Sequence, residues 1–79
     1  LDKVERGMVQ EKFIRMLKEN LSEREYTVLC LRYGLKGGVP LPQREVAKML
    51  QISRSYISRI EKRALERLRG KLRRDDFFP

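Results

Sequence analysis

Two stretches in the second half of the chain place apolar residues at helical spacing, with a short polar turn between them. The first stretch contains Val46, Ala47 and Leu50, and the second contains Ile57, Ile60, Ala64 and Leu68. Because each set falls on one side of a helix, both stretches are predicted to be helices that bury that side. Two short helices joined by a tight turn form a helix-turn-helix, which the pattern predicts over residues 43–72.

The residues around the turn predict how these helices begin and end. Gln51 is predicted to be the turn residue, and Ile52 to anchor the turn. Ser53 is then a suitable N-cap for the second helix, which is predicted to run from about Arg54 to Leu72. Pro42 is predicted to be the first residue of the preceding helix, a position whose amide has no helical partner in any case.

Two further amphipathic stretches predict helices in the first half of the chain. The earlier one runs from about residue 2 to residue 19 and is typical of a packing helix. The later one begins with a capping box, Ser22 with Glu25, and ends at Gly34, whose left-handed conformation would let Leu35 fold back. No strand pattern is present, so the sequence predicts an all-α, four-helix domain with a C-terminal helix-turn-helix.

The predicted organisation is a single domain. Its parts are a packing helix (1–20), a second helix (21–35), a loop (36–42), the helix-turn-helix (43–72) and a tail (73–79). The chain starts at Leu1, within helical sequence and without a methionine, so we expect a piece of a longer protein.

The charge is distributed unevenly along the chain. Lys and Arg number 19 against 11 Asp and Glu, a net charge of +8, and residues 40–79 account for +6 of it. A basic excess around one predicted recognition helix indicates a polyanionic partner, for which duplex DNA is the natural candidate. A basic surface that only keeps the protein in solution is the alternative.

The composition excludes several other classes of function. With Cys30 as the single cysteine and no histidine, neither an intrachain disulfide nor a multi-ligand zinc site can form. No apolar run approaches the length of a membrane span, and no nucleotide-binding or catalytic signature is present. The sequence therefore predicts no enzyme activity, no cofactor, no metal site and no membrane association.

The polar side of the second helix of the motif carries the residue types that read DNA. Arg54 and Arg59 can each offer two parallel donors to a guanine edge, whereas Ser55 and Ser58 allow close approach and specify weakly. Simple phosphate contact is the alternative role for each arginine. Tyr56 is expected to pack on the preceding helix, with a phosphate contact as its alternative.

Two segments resemble a known family. The segments LSEREYTVLCLRYGL and LPQREVAKMLQISRSYISRIEKRALERLR resemble region 4 of a bacterial RNA polymerase sigma factor over about residues 21–69. Within that family, SRSYISRIEKRAL resembles the sporulation factors, sigma-K first and sigma-E second. The resemblance implies a helical domain that reads the promoter −35 element and docks on the flap of the polymerase β subunit, in the bacterial cytoplasm at the nucleoid.

The resemblance also implies roles for particular residues. The positions that match base-reading ones are Arg54, Ser55, Ser58 and Arg59, and those that match phosphate contacts are Arg44, Lys62 and Arg63. An apolar groove for the polymerase flap would use Val28, Leu31, Leu35 and Val39. Because many housekeeping factors have Glu and Arg in place of Ser55 and Ser58, the preferred −35 sequence should differ from theirs. The family favours Gly or Asn at the turn position for its left-handed dihedral, so Gln51 is expected to adopt that conformation there with mild strain.

A protein-interaction module is the competing interpretation. The same apolar positions would serve an anti-sigma factor or a polymerase adaptor, with DNA affinity that is only non-specific. A homodimeric repressor head is disfavoured because no heptad repeat provides a dimer interface.

Overall fold

Four helices make up the described part of the chain. The computed structural model describes the backbone of residues 2–74 and the side chains of residues 11–71. The helices are α1 (Asp2–Asn20), α2 (Glu23–Tyr33), α3 (Gln43–Leu50) and α4 (Arg54–Arg74), and no strand occurs within residues 2–74. The all-α, four-helix prediction is confirmed. Of the predicted tail, residues 75–79 lie outside the described residues.

Both ends of α2 are fixed by the signals visible in the sequence. The Ser22 hydroxyl accepts from the Glu25 amide at 3.2 Å, and the Glu25 carboxylate accepts from the Ser22 amide at 2.9 Å. Gly34 ends the helix in the left-handed conformation, with φ 62° and ψ 39°. A Cβ there would lie 2.5 Å from the Gly38 carbonyl oxygen, so the loop as well as the dihedral requires glycine. Leu35 folds back and packs under α2, as predicted.

The turn between α3 and α4 has the predicted geometry. Gln51 is left-handed, with φ 57° and ψ 43°, and the Ser53 hydroxyl accepts from the Tyr56 amide at 3.1 Å as the N-cap of α4. The position predicted for Pro42 is wrong by one residue. Its ψ of 158° is extended while its carbonyl accepts from Glu45 and Val46, which makes it the N-cap of α3 and not the first helical residue.

The buried apolar residues form two clusters. The first cluster comprises Met16, Leu17, Leu21, Leu29, Ala64 and Leu68. The second cluster comprises Val28, Val46, Ala47, Ile57 and Ile60. The predicted apolar stripe of α4 is buried at all four positions and is divided between the clusters, so α4 packs against α1 and α2 at one end and against α2 and α3 at the other. Within residues 2–74, no helix is both long enough and apolar enough to cross a membrane.

Candidate nucleic-acid interface

The side of α4 opposite the two clusters is exposed and cationic. Its N-terminal half presents Arg54, Ser55, Ser58 and Arg59 to solvent, the four positions predicted to read bases. Because Ile57 and Ile60 anchor the other side of the same helix, these side chains project from a fixed support. Their contacts with bases remain predictions.

The predicted phosphate contacts are exposed too. Arg44 lies on the first turn of α3, and Lys62 and Arg63 lie on α4 one turn beyond the base-reading positions. A groove of about 320 Å³ runs where the start of α3 meets the outward side of α4. It is lined by Gln43, Ser58, Glu61, Lys62, Leu65, Glu66 and Arg69. The structure therefore brings the beginning of α3 next to the outward side of α4.

Tyr56 does not pack as expected. Its side chain is 45% exposed and belongs to neither cluster, so it stands on the solvent side of the first turn of α4. The physical reason is its place in the helix, directly before Ile57, which takes the core position.

The four residues predicted for polymerase docking differ in their burial, and one of them does not reach the surface. Val28 is fully buried in the second cluster, so its assignment to a docking groove is wrong. Leu31 is half-buried against the second cluster, while Leu35 is half-buried against the first. Val39 is 77% exposed in the loop before α3. The helical spacing identified these residues as apolar positions, but it could not distinguish a residue buried in the core from one exposed on the surface.

A buried carboxylate that sequence analysis did not single out joins three segments beside this interface. Glu61 on α4 accepts from Arg32 Nε at 2.9 Å, from the Tyr33 hydroxyl at 2.6 Å and from Gln43 Nε2 at 3.0 Å. A second guanidinium nitrogen of Arg32 donates to the Leu41 carbonyl at 2.8 Å. We call Arg32, Tyr33, Gln43 and Glu61 the Glu61 network. It connects the end of α2, the loop and the start of α3 to α4.

The pKa values of two members follow from these contacts. Burial acts to raise the pKa of Glu61, but hydrogen bonds from Tyr33, Gln43 and Arg32 outweigh it and leave that pKa below its ordinary value. The hydrogen bond to Glu61, aided by burial, raises the pKa of the Tyr33 hydroxyl. At neutral pH the network therefore contains an ionised carboxylate and a protonated phenol.

The signal for Glu61 was present in the apolar pattern of α4. Ile57, Glu61, Ala64 and Leu68 follow the spacing i, i+4, i+7 and i+11, which places an acid in a core row of the helix. An acid at such a position requires buried partners. Sequence spacing alone could not identify the donors, because they come from other helices.

A second buried acid secures the far end of α4. Glu25, the capping-box residue of α2, accepts from an Arg67 guanidinium nitrogen at 3.1 Å, and the Glu25 side chain is 6% exposed. Arg67 is therefore engaged within the protein. Among the described residues, no group of three potential metal-ligating side chains occurs.

Similarity to a known protein family identifies the class of this helix-turn-helix. The family model described as Sigma-70, region 4 matches residues 19–70. The chain belongs to the sigma-70 region 4 family. The match covers α2, the loop, α3 and most of α4, which are the elements that build the interface.

Full-length relatives of this region 4 domain are RNA polymerase sigma factors. The chain is 46% identical over 66 residues to an RNA polymerase sigma-E factor of Clostridium acetobutylicum, covering 84% of this chain and 28% of that protein. It is 47% identical over 68 residues to a sigma-28 factor of Bacillus thuringiensis subsp. kurstaki, covering 86% and 28%. It is 44% identical over 68 residues to the sigma-K factor of Bacillus subtilis, covering 86% and 23%. The chain thus spans about a quarter of the length of these curated relatives. No solved structure matches it significantly.

Proposed function

We propose that this region 4 domain binds the −35 element of promoter DNA and docks on core RNA polymerase, as part of a sigma factor. The observation that carries the proposal is the outward side of α4, where four positions of the family's base-reading face are exposed on a helix whose opposite side is buried. The domain contributes recognition and no chemistry, and it acts in the bacterial cytoplasm.

Base reading is assigned to Arg54, Ser55, Ser58 and Arg59, and phosphate contact to Arg44, Lys62 and Arg63. An arginine can pair with the O6 and N7 acceptors of guanine, which supports specific roles for Arg54 and Arg59. Lys62 lines the groove where α3 meets α4, and Arg44 directly follows Gln43, which lines it from α3. Phosphate contacts from both helices would hold the DNA backbone while α4 enters the major groove.

Docking on the β flap is assigned to the end of α2 and the loop that follows. With Val28 in the core, this surface consists of Leu31, Leu35 and Val39, of which Val39 is the most exposed. An anti-sigma factor is the second class of partner that would use the same surface.

A sporulation role is the finer part of the proposal. Its support is the resemblance of SRSYISRIEKRAL to sporulation factors, together with identity above 40% to proteins named sigma-E and sigma-K. The duplex that the domain selects should accordingly differ from a housekeeping −35 element.

A two-dimensional amide NMR titration tests both activities on one sample. One arm adds a −35-type duplex, with a shuffled duplex of the same composition as its control, and the other adds a β flap-tip helix peptide. We expect duplex-dependent shifts at residues 54–63, and peptide-dependent shifts at Leu31 and Val39. Identical shifts with both duplexes would refute specific DNA reading, and shifts with the peptide alone would leave an interaction module.

A further inference from the structure

The Glu61 network holds the first residue of α3 against α4. Gln43 is that residue, and its side-chain amide donates to the Glu61 carboxylate across 18 positions of sequence. Pro42, the N-cap, provides no side-chain hydrogen bond to the first turn of α3. The apolar anchors of α3, Val46 and Ala47, lie a full turn further along. The start of α3 therefore depends on a polar contact with Glu61 for its place beside α4.

The same carboxylate also holds the segment that leads into α3. Arg32 donates to Glu61 with Nε and to the Leu41 carbonyl with a second nitrogen, and the Leu41 amide donates to the Leu31 carbonyl at 3.1 Å. Leu41 is two residues before Gln43. Displacing the Glu61 carboxylate would thus weaken the support that Arg32 gives to the approach to α3, while the Leu41 amide bond and the packing of Leu41 on the second cluster remain.

Glu61 itself cannot act by touching DNA. It is 7% exposed, and its oxygens are occupied by three donors from within the protein. Its neighbours along the groove, including Ser58 and Lys62, are exposed. Any effect of Glu61 on DNA binding must pass through the placement of other residues.

We infer that Glu61 is a positioning residue for promoter recognition, an inference that rests on the proposed function. By fixing the start of α3 against α4, Glu61 keeps Arg44 at a fixed distance from the base-reading side of α4. Phosphate contacts fix the register in which a recognition helix meets base edges. A loosened α3 would let Arg44 reach a phosphate without holding α4 in the reading position, so sequence discrimination would fall while charge attraction persisted.

The test compares two substitutions that are matched in charge and burial. Glu61→Gln removes the charge that pairs with Arg32 and replaces one of the two acceptor oxygens of the network with an amide donor. Glu25→Gln removes the charge of the Glu25–Arg67 ion pair, away from α3. Glu25 is 5% exposed, and glutamine is still acceptable at its position in a capping box. The preferred duplex is first selected from a randomised library with the wild-type chain. For each protein, the affinity for this selected duplex is then divided by the affinity for a shuffled duplex, which gives the affinity ratio. All measurements are made where circular dichroism shows each variant fully folded.

We expect Glu61→Gln to reduce this affinity ratio about tenfold and Glu25→Gln to leave it unchanged. On the shuffled duplex, the slope of log affinity against log salt should be the same for the two glutamine variants. A role through Arg44 also predicts that Glu61→Gln and Arg44→Ala are non-additive on the selected duplex. Merely structural destabilisation would lower the ratio equally in both glutamine variants, or in neither.

The possible outcomes separate the two levels of the proposal. If the wild-type chain selects no sequence, the proposed function fails and the inference fails with it. If the wild-type chain selects a duplex and Glu61→Gln discriminates as well as wild type, the proposed function stands and the positioning role of Glu61 is overturned. Additive effects with Arg44→Ala would likewise refute the route through α3.

Discussion

Arg59 and Lys62 lie less than one turn apart on the outward side of α4, and the proposed function gives them different tasks. Arg59 is placed among the base-reading positions and Lys62 among the phosphate contacts. The planar, two-donor guanidinium suits a base edge, whereas the ammonium is a point charge that recognises any phosphate. Their substitutions should therefore be distinguishable by sequence dependence rather than by total affinity.

Arg59→Ala is expected to relax base preference at one −35 position. The loss of a bidentate pair should cost about 1–3 kcal/mol on the preferred base and little on the other three. Affinities for duplexes substituted at each position in turn would measure this. An equal loss on every duplex would show that Arg59 contacts a phosphate.

Lys62→Ala is expected to weaken binding to all sequences alike. Removing one phosphate contact should reduce the slope of log affinity against log salt by about one. Affinity measured at four salt concentrations on preferred and shuffled duplexes checks this. Lys18→Ala makes the same change of charge at an exposed position on α1, outside the proposed interface, and is the control. A sequence-dependent loss in Lys62→Ala would contradict the assignment.

At the scale of single residues, prediction from the sequence succeeded where the partner was close in the chain. Ser22, Ser53 and Gly34 make their contacts within a few residues, and such contacts are encoded by local spacing. Glu61 binds donors 18 to 29 positions away, which no local pattern specifies. Val28 shows the same limit, because helical periodicity marks an apolar face without saying which helix covers it.

Among the elements, the turn from α3 to α4 stores backbone strain. Gln51 is the one residue other than glycine with positive φ among the described residues, and its amide closes α3 on the carbonyls of Ala47 and Lys48. A side chain in the left-handed region costs about 1–2 kcal/mol relative to glycine, less the greater entropy that glycine loses on folding. The turn is required by the motif, so the strain is retained.

Gln51→Gly is expected to raise the free energy of unfolding by about 0.5–1 kcal/mol. Urea unfolding followed by circular dichroism measures the change. Gln51→Ala keeps the Cβ and should give no such gain, which makes it the matched control. Equal stabilities for the glycine and alanine variants would mean that the dihedral carries no strain.

Helix boundaries were predictable to within two residues, and the error at Pro42 shows why they were not better. A proline is acceptable both as an N-cap and as the first helical residue, and only ψ separates the two. The observed ψ of 158° leaves Pro42 in the extended loop, where the preceding residue, Leu41, is held by hydrogen bonds with Arg32 and Leu31 of α2. Those contacts belong to the tertiary structure and not to the proline.

For the whole molecule, the Glu61 network makes stability depend on pH. Because the pKa of Glu61 is lowered in the folded state, its contribution is complete above the pKa of an unfolded glutamate, about 4.3. The contribution is lost as the pH falls through the lowered folded value. Leaving the buried donors of Arg32 and Tyr33 poorly matched should cost about 1–3 kcal/mol.

The free energy of unfolding of Glu61→Gln should therefore be about 1–3 kcal/mol lower than that of the wild type at pH 7. This difference should shrink below about pH 4. Urea unfolding of both proteins across that range tests this. Glu66→Gln makes the same change of net charge at an exposed site and provides the control. A difference that stays constant from pH 7 to pH 3 would show that the ionised carboxylate is not what stabilises the network.

The division of the core into two clusters has a consequence for hydrogen exchange. Ile57 and Ile60 belong to one cluster and Ala64 to the other, so this stretch of α4 can open only if both clusters come apart. The buried residues in the described part of α1, Met16 and Leu17, belong to the first cluster alone, and the amides of that part can exchange through a smaller opening. Native-state exchange in low urea should find the slowest amides between residues 57 and 64, converging on the global unfolding free energy. The recognition helix would then be the last part of the domain to unfold, and equal protection of α1 would contradict this order.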